Sequence, residues 1–149
     1  GTVMSTKEIQ ENLAKTMKTW QKIEDASVAS TGKIIQETEN PLIRLVMEII
    51  LRDSQTHRQV QQFIVDSLEK QAVSLTPEEM SNVWSGIKAH IDIERRMIGF
   101  VEETLEALKG KKMLVQEYLL NYLREDEKKH DDLLSSLDKI KSGMYPYAS

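Results

Sequence analysis

At 149 residues the chain has room for one ordinary domain, read over residues 1–149, and too few for two. Its 40% apolar and 30% charged content excludes a disordered chain, and a net charge of −4 holds no attraction for nucleic-acid phosphates. No apolar run approaches the roughly 18 residues of a membrane span. With 0 Cys, disulfides, Cys-ligated zinc, iron–sulfur clusters and thiol catalysis fall away together. A reducing cytoplasm is the expected setting. No secretory leader pattern opens the chain, and Gly1, ahead of Met4, is left out of the fold.

Four helices are expected, over about 5–38, 41–72, 77–109 and 112–141. Ser5-Thr6-Lys7-Glu8 has capping-box spacing and starts the first. Its apolar stripe reads Ile9, Leu13, Met17, Trp20, Val28, Thr31 and Ile35, in steps of three and four. Asn40-Pro41 ends it and caps the second helix, which carries Val46, Ile50, Val60, Ile64 and Leu68. Thr76-Pro77-Glu78-Glu79 is a second capping box. It opens a helix with Val83, Ile87, Ile91, Ile98, Val101, Leu105 and Leu108, and Gly110 follows as its stop. The fourth helix turns Val115, Leu119, Leu123, Leu134, Leu137 and Ile140 inward and stops at Ser142-Gly143, and the tail Met144–Tyr147 is expected to dock in a surface groove. Long helices with short links predict an all-α four-helix bundle.

Function must come from whatever interrupts the apolar stripes. Glu24 does so in the first helix, Asp53 and His57 in the second, Glu94 with His90 one turn earlier in the third, and Glu127 with His130 in the fourth. All fall near mid-helix, so they share one level of a bundle. Several carboxylates buried together are very unfavourable unless something positive lies between them. A cation with carboxylate and imidazole ligands meets that need. The competing reading is a metal-free polar core.

Glu127 and His130 are i and i+3, on one face of their helix. Glu-x-x-His on two helices, with a single Glu from each of the others, is the ligand pattern of carboxylate-bridged di-iron bundles. The chain resembles the ferritin-like superfamily, and within it the rubrerythrin-like branch. The carrying segments are Glu24 in WQKIEDASV, the stretch NPLIRLVMEIILRDSQTH, Glu94 in HIDIERRM, and YLREDEKKH. The halves also read as an internal repeat, since Asp53–His57 aligns with Asp126–His130. The resemblance implies a bundle of two repeated helical hairpins. It also implies a metal site drawn from Glu24, Asp53, His57, His90, Glu94, Glu127 and His130, with iron, or manganese or zinc, as the cofactor. The implied chemistry acts on oxygen or peroxide. With 0 Cys the chain carries no rubredoxin-type centre, so the electrons are expected from a separate donor.

Two features depart from that pattern. Ser54 stands where the family has Glu, so a di-iron site, a mixed or single-metal site and a relic pocket all remain open. Asp53, turned by about 100°, is a possible substitute, and His90 a possible extra imidazole. His90-x-x-x-Glu94 also has hemerythrin-like spacing, but such bundles need more than the 3 histidines present. The link between the second and third helices is the other departure. A few residues cannot cross a bundle of about 50 Å at about 3.6 Å each. The chain therefore runs up-down-up-down, or the second helix ends near Ser67, or hairpins swap between copies in a homodimer. A metal-free bundle serving as an interaction or structural protein is the alternative function. No phosphate loop and no Ser/His/Asp signature favours another enzyme class.

Overall fold

The computed structural model describes residues 3–144. Among them every regular element is helical: α1 Thr6–Glu37, α2 Pro41–Glu69, α3 Pro77–Leu108, α4 Leu114–Ser135 and α5 Leu137–Met144. None is long and apolar enough to cross a membrane. The chain divides into two compact units, Gly1–Val73 and Ser74–Ser149. The first is the hairpin α1–α2; the second is the hairpin α3–α4 with α5 appended.

Local chemistry sets the helix starts. Ser5 Oγ accepts from the Glu8 N–H at 3.2 Å, and Asn40 Oδ1 accepts from Leu42 and Ile43 at 3.0 and 3.1 Å. Thr76 and Glu79 form both halves of a capping box. Such caps satisfy donors that the helix cannot, at about 1 kcal/mol each. Helix α1 has no basic residue in its last turn. Arg44 of α2 supplies one, donating from Nη1 to the carbonyls of Ile35 and Thr38 at 2.8 and 3.1 Å. That contact ties the start of α2 to the end of α1, and the two helices pack against each other. After α3 the chain turns through Gly110, whose φ of +77° suits a residue without a Cβ.

Several boundaries differ from the sequence expectation. Helix α2 ends at Glu69, short of 72 and beyond Ser67. The expected fourth helix is broken at Ser136 into α4 and α5. At the break the Ser136 N–H still reaches the Asp132 carbonyl at 3.0 Å, and Ser135 Oγ donates to the Asp131 carboxylate at 2.9 Å. Ser142-Gly143 does not stop the chain's helix; α5 runs through both to Met144, whose sulfur accepts from the Leu75 N–H. The expected docking of the tail falls on Tyr145–Tyr147, outside the described residues.

The buried faces also differ. Helix α1 buries Ala14, Met17, Gln21, Glu24 and Thr31, while Ile9, Leu13 and Trp20 are exposed. Helix α2 buries Ser54, Gln61 and Val65, while Ile50 and Val60 are exposed. In α4, Val115 and Leu123 are exposed, as is Ile140 in α5. A step of one residue turns a helix face by about 100°. In the first hairpin part of the seam therefore lies one residue from the expected stripe, through Ala14, Gln21, Ser54 and Gln61, while Met17, Glu24 and Thr31 keep to it; in α3 the expected Ile91 and Val101 are buried. Gln21 shows how such a seam is satisfied. Its amide donates to the Arg58 carbonyl at 3.3 Å and to Gln62 Oε1 at 3.0 Å, both on α2.

Candidate metal centre

In the second hairpin, Glu94 projects from the middle of α3 onto α4 and is buried, with 3% of its side chain exposed. Glu127 and His130, one turn apart on α4, meet it. One ligand atom from each of the three residues falls within 4.8 Å of the other two. Glu94 Oε1 lies 3.4 Å from His130 Nδ1 and accepts from His90 Nε2 at 2.9 Å. Glu127 Oε2 is 3.7 Å from His130 Nδ1. The other ring nitrogen of His130 lies 3.4 Å from Asp126 Oδ2. That contact is at ion-pair distance without hydrogen-bond geometry, and the other Asp126 oxygen pairs with Lys129 at 2.8 Å. Asp126 was not among the sequence candidates, although its i,i+4 spacing to His130 signals it, as does the same spacing of Asp53 and His57.

The electrostatics of this trio are unbalanced. Glu94 Oε2 and Glu127 Oε2 are buried without a hydrogen-bond partner. Two ionised carboxylates can only accept, so their meeting leaves both unpaired unless a proton or a cation lies between them. Without a cation, a proton taken up there would be shared unequally by the two carboxyls. The hydrogen bond to Glu127, together with His90 and His130, holds Glu94 below the usual carboxylate range. The hydrogen bond to Glu94, burial and the Glu94 charge push Glu127 above it. A proton at this site therefore binds Glu127 more readily than Glu94, because Glu94 has His90 as well as His130 beside it. A cation bound to all three groups would displace that proton and complete the coordination of the orphaned oxygens. The donor set of two carboxylates and one imidazole suits iron, manganese or zinc.

The first hairpin places the corresponding residues differently. Glu24 of α1 is buried, with Oε2 3.5 Å from His57 Nδ1 of α2. That contact joins the groups electrostatically but lacks hydrogen-bond geometry, so Glu24 Oε2 is also unpartnered. Ser54, one turn before His57, is buried and shares a 2.7 Å hydrogen bond with Ser27 Oγ of α1. Asp53 is half-buried and has no hydrogen bond or ion pair among the described residues. The structure thus groups Glu94, Glu127, His130 and His90 in one unit and Glu24 with His57 in the other, with Asp53 apart from the pair. Compared with protein-family models, characterised proteins and solved structures, the chain finds no match.

Proposed function

We propose that the chain is a ferritin-like, rubrerythrin-like metal-binding protein. In this reading its helices hold non-haem iron, at a di-iron or single-metal centre. One observation carries the reading: Glu94, Glu127 and His130 converge with two buried carboxylate oxygens left unpartnered. Buried carboxylates in such a pair are costly without a positive charge between them. Bound iron would supply electron-transfer chemistry toward oxygen or peroxide. The chain's own residues have simpler tasks. Glu94 and Glu127 bring negative charge, and His130 brings an imidazole nitrogen. Reducing equivalents come from a separate donor, in a cytoplasmic setting.

Iron content after anaerobic Fe²⁺ loading and desalting tests this, on wild type and on His130→Ala. At least one iron per chain in wild type, with near-complete loss in the variant, is expected. Near-zero iron in both refutes the proposal.

A metal-free interaction bundle is the second reading. The exposed apolar row of α1, with Trp20 and Ile23, and Phe63 of α2 favour it. In the metal reading the same rows are covered when two copies pair as a homodimer.

A further inference from the structure

Resting on the metal reading above, we infer that the two hairpins are unequal copies of one site: the second hairpin holds the metal, and the first has been closed by the Ser27–Ser54 hydrogen bond. The correspondence between hairpins is geometric. Glu24 faces His57 at 3.5 Å, and Glu94 faces His130 at 3.4 Å. One residue further along each helix stands a cross-helix ion pair. It joins Arg58 to Asp25 at 2.8 Å in the first hairpin and Arg95 to Asp131 at 3.2 Å in the second. The positions are equivalent and the charges are exchanged. Three residues before each Glu, Gln21 and Ile91 are both buried; seven after, Thr31 and Val101 are both buried.

In this register the residue one turn before the histidine is Glu127 in the second hairpin and Ser54 in the first. Glu127 offers a carboxylate oxygen to the trio. Ser54, 5% exposed, turns its hydroxyl to Ser27 on α1 instead. Met97 occupies the position equivalent to Ser27, so the second hairpin has no hydroxyl there to form that bond. The two serines satisfy each other and bring no charge. The first hairpin keeps one carboxylate and one imidazole. The second has two carboxylates and one imidazole, with His90 against Glu94. Losing even a residue that orients a ligand weakens metal binding by about 10–100-fold, and losing a charged ligand costs at least as much. A divalent cation therefore fills the second hairpin at concentrations that leave the first empty.

Anaerobic Co²⁺ calorimetry on the full chain tests the inference, together with imidazole ¹⁵N spectra during Zn²⁺ titration. The 3 histidines make those spectra simple to assign. Wild type is expected to bind one Co²⁺ per chain. Zn²⁺ should move the ¹⁵N signal of His130 and leave that of His57 in place. Ser54→Glu should bind two Co²⁺, and adding His57→Ala should return it to one. Two tight Co²⁺ in wild type, or His57 moving together with His130, overturns the inference and leaves the metal reading standing. So does a folded Ser54→Glu protein that stays at one. No Co²⁺ in wild type overturns the metal reading itself. Where Ser54→Glu fails to fold by circular dichroism, the wild-type histidine spectra decide the question.

Discussion

Replacing Glu127 by Gln separates what this carboxyl does for a metal from what it costs the metal-free fold. Ligand oxygens of Glu94 and Glu127 lie within 4.8 Å of each other. Two full charges at that distance repel by about 3.5 kcal/mol at an effective dielectric of about 20. Keeping a proton instead requires Glu127 to hold it above its ordinary range, as the hydrogen bond to Glu94, burial and the Glu94 charge favour. His90 and His130 offset part of this, so Glu127→Gln should stabilise the metal-free protein by about 1–3 kcal/mol near neutral pH. The amide can donate to Glu94 without taking up a proton. The sign of the pH dependence follows from Glu127 being raised. Its favourable contribution is complete below the ordinary value of 4.5 and is lost as pH rises through the raised value. The advantage of the variant should therefore grow from acid to neutral pH. Urea unfolding followed by circular dichroism, with EDTA present, at about pH 4 and about pH 7, measures it. A variant no more stable than wild type at neutral pH refutes the shared-proton account. So does an advantage that is unchanged at acid pH. With Fe²⁺ present the order should reverse, because wild type gains the binding energy and the variant loses a ligand.

Two further outcomes are expected. Arg58→Asp sets like charges across the first hairpin, and adding Asp25→Arg restores the pair in the polarity of the second. Both partners are half-exposed, so a double-mutant cycle should return a coupling of about 0.2–1 kcal/mol, and no coupling would show that the pair does not link α1 to α2. Light scattering should report a homodimer, with the exposed rows containing Trp20 and Phe63 covered; a monomer at every accessible concentration excludes that proposal.

Helix existence and helix starts were legible in the sequence because they are local events. Ser5, Asn40 and Thr76 cap where their spacing predicts, since each bonds to backbone two or three residues away. Glu94, Glu127 and His130 were legible as candidates too, because carboxylates and an imidazole that interrupt apolar stripes at mid-helix stand out by chemistry alone. Which face α1 and α2 bury was decided by the tertiary structure, while Ile91 and Val101 of α3 are buried as expected. Apolar content pointed to Leu13, Trp20 and Val60, yet the first hairpin's seam passes one residue on, through Ala14, Gln21 and Gln61. In α1, Ala14, Met17, Gln21 and Glu24 have the same three-and-four spacing as Leu13, Met17, Trp20 and Glu24, and periodicity does not distinguish them. The break at Ser136 and the contacts between Ser27 and Ser54 and between Asp126 and His130 depend on how side chains settle once helices pack. The residue types at the candidate metal centre are therefore written in the sequence. Their convergence to within 4.8 Å, with carboxylate oxygens left unpaired, is a product of the fold, because a buried charge acquires its cost only where packing has removed the water.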